Sequence, residues 1–153
     1  MTITQVNSST FLADTVMLIR DMLLANITDP LAAASQRPSS QKFVVTSYAD
    51  RGTSYPLVTV VDRGITGFRK GGKSSNAALQ RLGIEIRTWG RNVKERDEIS
   101  QSIFDYLRST QQANSTDKQL HDYSTDVFEN VDEPGYAGIK SKIHKISFLE
   151  VLM

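Results

Sequence analysis

The strongest constraint in the chain is a change of hydrophobic period at Gly90. From Leu79 to Trp89 the residues alternate, with Leu82, Ile84, Ile86 and Thr88 on one side and Arg81, Glu85, Arg87 and Trp89 on the other. Period two is the mark of a strand with one face on a core. Directly afterwards Ile99, Ile103, Tyr106 and Leu107 recur at helical spacing. Asn92, three residues ahead of Glu95, makes a capping-box-like start, and Glu95, Asp97 and Glu98 sit where the helix dipole favours acids. The chain is therefore committed to a strand, a tight turn and a helix in this region.

The flanking segments extend this unit. Ser8 or Ser9 can cap a helix running to about Asn26, in which Phe11, Leu12, Thr15, Val16, Ile19, Met22 and Leu23 keep a buried face. Asp29-Pro30 ends it, and residues 31–41 are small and polar, as in a connecting loop. KFVVTSY (42–48) and PLVTVVD (56–62) are rich in β-branched residues, and the ADRGTSY between them carries turn chemistry, which predicts an antiparallel hairpin. Residues 63–76 hold four glycines and four basic residues with no periodicity, which predicts a flexible loop. Residues 109–125 are polar and read as another loop. DVFENV (126–131) reads as a short strand, and EPGYAG as a turn. IKSKIHKISFLEVLM reads as a last strand whose alternation slips near His144-Lys145, as a bulge would make it. The expected order is α-β-β-β-α-(β)-β. It describes one α+β domain over residues 1–153, with a mainly antiparallel sheet of four to five strands flanked by two helices.

At 153 residues, 39% apolar and 23% charged, the chain can bury an ordinary core. It has no cysteine, which excludes disulfides, thiolate metal sites and cysteine nucleophiles. Arg20-Asp21 splits the apolar runs near the N-terminus, and the first 19 residues lack Lys and Arg, so neither a signal peptide nor a membrane span is expected, and no membrane partner. His121 and His144 stand far apart without a third ligand. Neither a serine elbow nor an EF-hand spacing is present, so the expectation is a non-enzymatic protein without cofactor or metal.

One motif argues otherwise. GFRKGGKS (67–74) has the spacing of a phosphate-binding P-loop. That loop works only where a strand feeds it and a helix opens at the Lys-Ser, inside a parallel sheet with crossover helices. Here a strand pattern follows within a few residues, and the remaining pattern offers only one strong helix. The context argues against a nucleotide site, and GFRKGGKS is better read as a basic loop.

The charge is unevenly laid out. Nine of the eighteen basic residues lie between Arg63 and Arg96 against two acids, while residues 117–133 hold six acids against Lys118 alone. Such blocks attract one another within a fold or between copies. Arg69, Lys70 and Lys73, with Phe68 among them, suit contact with a nucleic-acid backbone without base reading.

Taken together, the N-terminal helix, the three strands, the capped helix and the returning last strand resemble the tail terminator (tail completion) proteins of long-tailed bacteriophages. The most family-like stretch is GIEIRTWGRNVKERDEISQSIFDYLRS (83–109). The resemblance implies a structural virion protein at the tail–neck junction, made in the host cytoplasm. It would form a ring, a homohexamer, that caps the tail tube, ends its polymerisation and offers a surface to the head-side connector. It also implies a tube protein and a neck protein as partners, with Arg69, Lys70 and Lys73 facing DNA in the channel. Candidate subunit-interface residues are then Trp89, Arg91 and Lys94 on one side and Asp126, Glu129, Asp132 and Glu133 on the other. Trp89 has a second reading, as part of a small core under the first helix. Alternatives to the terminator are another neck or tail component, such as a head–tail joining protein or tube subunit, and a small DNA-binding module.

Overall fold

In the computed structural model, residues 11–32, 37–47, 54–70, 78–131 and 138–152 are described. The elements are α1 (Phe11–Asn26), β1 (Val44–Val45), β2 (Leu57–Lys70), β3 (Ala78–Gly90), α2 (Val93–Ser109), α3 (Gln111–Lys118), β4 (His121–Val131) and β5 (Lys140–Leu152). The strands form one sheet in the order β1-β2-β3-β5-β4, antiparallel except where β1 joins β2. The class is α+β, as the sequence pattern indicates.

Both α1 and α2 bury their apolar sides on the sheet face that carries Leu82, Ile84 and Ile86. Leu18, Ile19 and Leu23 of α1 join Ile99, Ile103 and Leu107 of α2 in that core. The start of α2 is held as its sequence requires. Asn92 Oδ1 accepts from the Glu95 backbone N–H at 2.9 Å, and Glu95 Oε1 accepts from the Arg91 N–H at 3.1 Å, one residue earlier than in a standard capping box.

Four expectations are corrected. The segments at 42–48 and 56–62 do not form an antiparallel hairpin, because β1 pairs parallel with β2, Val44 opposite Val58 and Val45 opposite Thr59. The reason is a tie across the connection. Arg37 bonds the Asp29 carboxylate and the carbonyls of Ser54 and Pro56, and Gln41 Oε1 accepts from the Ser54 N–H at 2.9 Å. The chain is thereby brought back to the beginning of β1 before β2 sets out.

The basic segment is strand for half its expected loop. β2 runs to Lys70, with Arg69 opposite Leu79 and Lys70 opposite Ala78. β3 begins at Ala78 and pairs antiparallel with β2, so the described residues on either side of the motif lack the parallel strand-and-helix setting of a P-loop; Lys73 and Ser74 lie outside the described residues.

The polar stretch after Ser109 is not a loop but contains α3 and the first part of β4, which makes three helices among the described residues rather than two. α3 buries only Asn114, whose amide donates to Thr110 Oγ1 at 3.2 Å, and the chain turns at Gln119 with φ 62°.

β5, finally, has no bulge against β3, with the register unbroken from Ala78–Leu152 to Gly90–Lys140. Its phase slip has another cause. As an inner strand it buries both faces, Ile146 and Phe148 in the main core and Ile143 on the far side.

Candidate functional site

The register places the candidate residues at two ends of the sheet. Arg69 and Lys70 end β2, level with Ala78 of β3 and Leu152 of β5. Trp89 lies at the other end, level with Ser141, and Arg91 and Lys94 follow at the opening of α2. Glu129 stands opposite Ile143, toward that same end. Ala78 and Gly90 are the two ends of β3, about 40 Å apart at strand rise. Lys73, Asp132 and Glu133 lie outside the described residues.

Trp89 is not an exposed anchor. It is 1% exposed and packs with Leu57, Val45, Tyr55 and Ile139, while its indole N–H donates to Thr59 Oγ1 at 3.1 Å. The small-core reading is the correct one, although the core lies on the sheet face away from α1. Arg87 stacks its guanidinium over the indole at 5.2 Å and pairs with Glu85 at 3.2 Å. Both ions are only 8% exposed, so β3 is covered on its second face as well.

Arg91 and Lys94 are engaged on their own helix. Arg91 reaches Glu95 at 2.6 Å, and Lys94 reaches Glu98 at 3.7 Å with its side chain 85% exposed. The Arg91 hydrogen bond holds the Glu95 carboxyl below its ordinary range. Neighbouring Asp97 is likewise lowered, first by Arg96 and then by Lys142 at 3.0 Å.

The opposite charge blocks meet within one chain. Arg63 of β2 approaches Asp126 of β4 at 3.9 Å, and Arg81 of β3 binds the carboxylate and carbonyl of Asp122. Asp126 also accepts from Ser124 at 3.1 Å and Ser147 at 3.4 Å. Part of the charge assigned to contacts between copies, Asp126 included, is thus used to hold the sheet. The within-fold attraction that the charge layout allowed is thus present, but the particular pairs were not readable from the sequence, because they depend on the register of four strands.

Sequence reasoning missed a buried polar cluster. His144 is 3% exposed; its ring lies 5.6 Å from that of Phe104 and 5.0 Å from that of Phe128, and Nε2 faces Tyr123 Oη at 3.3 Å and Thr125 Oγ1 at 3.2 Å. Burial lowers its pKa to about 4, so the ring is neutral at pH 7. Across the same sheet face Glu150 meets Thr15. The only signal for it in the sequence was a lone acid in the apolar run ISFLEVLM.

The surface beside β2 is open. β1 pairs with β2 at two positions only, so among the described residues the outer edge of β2 has no strand partner beyond Thr59. A cleft of about 750 Å³ lies between Leu24 of α1 and Val44–Ser47, on the β1 side of the sheet. A second, of about 280 Å³, lies between Leu12 and Val16 of α1 and Val61 and Asp62 of β2. Leu12, Leu24 and Ile65 are exposed along this side. This arrangement offers surfaces for docking. A scan of protein-family models and a search of curated proteins each found no match to the sequence.

Proposed function

We propose that this chain is a structural ring subunit of a long-tailed bacteriophage, a tail terminator that closes the finished tail tube and presents a surface to the head-side connector. The observation that carries the reading is the pair of unlike sheet edges. Among the described residues, β2 leaves its outer edge open beside an apolar-lined cleft, while β4 ends the other side of the sheet and carries Glu129 beside the already paired Asp122 and Asp126. Two different surfaces on one subunit give a head-to-tail contact, which closes into a ring when the rotation permits. Exposed edges also need covering in a soluble assembly, and a neighbouring copy covers them.

The resemblance in element order supports the same reading. So does the separation of the two ends, since a terminator must meet the tube on one side and the neck on the other. The basic end of β2, with Arg69 and Lys70, is the surface we assign to the channel and its DNA.

Electron micrographs of tails assembled with and without the protein test the function. Tubes of uncontrolled length in its absence, and tubes of fixed length capped by a ring in its presence, are expected. Normal tube length without the protein would instead place it elsewhere in the neck or tail. Light scattering gives the assembly state: a hexamer agrees with the ring, whereas a monomer with salt-dependent affinity for DNA favours a DNA-binding module.

A further inference from the structure

Thr15 of α1, Gln80 of β3 and Glu150 of β5 meet under the first turns of α1, exposed by 0, 1 and 2% respectively. The Thr15 hydroxyl oxygen lies 2.7 Å from the Phe11 carbonyl oxygen and 2.6 Å from Glu150 Oε1. A hydroxyl has one proton to give, and a backbone carbonyl can only accept. If the Thr15 proton serves the Phe11 carbonyl, the second short contact takes its proton from Glu150.

The surroundings agree. Glu150 Oε2 has no hydrogen-bond partner, a condition that a buried neutral acid endures far better than a buried carboxylate. Among the described residues, α1 contributes Asp14 and Thr15 to this corner, β3 contributes the neutral Gln80, and no cation pairs with Glu150. Burial pushes the Glu150 carboxyl above its ordinary value of 4.5, and the nearby charge of Asp14 adds to the rise. Hydrogen bonds that Thr15 and Gln80 would offer an ionised carboxylate oppose the rise without cancelling it.

We infer that Glu150 is held as the neutral acid, donates its proton to Thr15, and so forms a proton-dependent clasp between the first helix and the last strand. Ionisation removes the donor and leaves a charge against Asp14 in a buried corner. The folded acid is harder to ionise than the unfolded one, so the clasp is complete below the ordinary value of 4.5 and weakens as pH rises toward the folded value. Rising pH therefore loosens the N-terminal turns of α1 before the rest of the fold.

The test is a carboxyl-carbon NMR titration of the full chain, with the Glu150 signal assigned by its loss in Glu150→Gln. Glu150 should titrate at higher pH than the exposed glutamates. Amide exchange protection in α1 should fall several-fold across that titration in the native chain. In Glu150→Gln, whose amide can still donate to Thr15, the protection should stay level. Thr15→Val separates the two proton assignments. If the acid donates to Thr15, losing the acceptor lowers the Glu150 midpoint; if the carboxylate accepts from Thr15, losing the donor raises it. An ordinary midpoint for Glu150, a rise in Thr15→Val, or an undiminished pH-dependent loss in Glu150→Gln overturns the inference.

Discussion

Arg63 on β2 reaches Asp126 on β4 at 3.9 Å although two strands stand between them. In a flat sheet the two backbones would be about 14 Å apart, which the two side chains span only when laid out fully extended along the sheet, so a sheet curled toward this face brings them together more readily. The register shows how. Gly64, Gly83, Ser147 and Ser124 lie opposite one another across β2, β3, β5 and β4, a transverse row of the smallest side chains. Register shifts flank the row in β2 and β4, and Gly64 takes φ 90°, which a side chain would disfavour.

Filling that row should cost more than breaking the ion pair. A Cβ on Gly83 would lie 3.3 Å from Arg63 Cβ and 3.8 Å from its guanidinium. Gly83→Val should destabilise by about 1–3 kcal/mol through overpacking. Asp126→Asn should cost less than about 1 kcal/mol, because the pair is solvated. Urea midpoints check both. The Gly83→Val loss should shrink in an Arg63→Ala background, and an equal loss there would assign it to the strand rather than to the contact with Arg63 across the row.

The junction between β3 and α2 gives a sharper case. A Cβ on Gly90 would stand 2.8 Å from the Arg96 backbone nitrogen, inside any permitted contact, and the obstacle is the backbone of α2 itself. Gly90→Ala should therefore cost about 1–3 kcal/mol or more, while Asn92→Ala, which removes only the cap, should cost about 0.5–2 kcal/mol. Chemical denaturation of the two variants measures the difference. A Gly90→Ala protein as stable as the native chain would show that α2 docks otherwise.

What was legible in the sequence follows from how local each cause is. The alternation from Leu79 to Trp89 and the Asn92 cap are determined within a few residues, and β3 and α2 stand where those signals put them. α3 was not legible because QQANSTDK has no apolar stripe and buries only Asn114. The parallel β1 depends on Arg37, which acts on residues up to nineteen positions away. The apparent slip in β5 is a strand buried on both faces, which alternation cannot distinguish from a bulge. For the candidate Trp89, and for Arg87 beside it, the side of the strand was legible. That their side of the sheet is also covered was not, since burial of the second face is a property of the assembled fold.

His144 makes the fold sensitive to acid. Its pKa falls from 6.5 to about 4 because burial penalises the charged ring, so the folded state favours the neutral form. Stability from this group is fully present above 6.5 and is lost as pH falls toward about 4, by about 3 kcal/mol at the limit. His144→Phe keeps a ring against Phe104 and Phe128 and removes the titration. Its urea midpoint should vary less than that of the native chain between pH 6.5 and 4, and an unchanged pH slope would exclude His144 as the cause.

The basic end of β2 is where the proposed channel role is open to direct attack. Arg69 and Lys70 are placed by register at the end of the sheet opposite Trp89 and α2, far from the Asn92 cap and from the Gly90 junction. Changing Arg69, Lys70 and Lys73 together to Gln should therefore leave the fold and the assembly state unaltered, as circular dichroism and light scattering would show. The effect should appear with DNA. If these cations meet phosphates, the slope of log affinity against log salt should shrink by about 0.9 for each duplex phosphate that is no longer neutralised, and particles carrying the variant should join heads poorly or release their DNA. Fully infectious particles with an unchanged salt slope would remove the channel role from this end of the sheet while leaving the ring itself untouched.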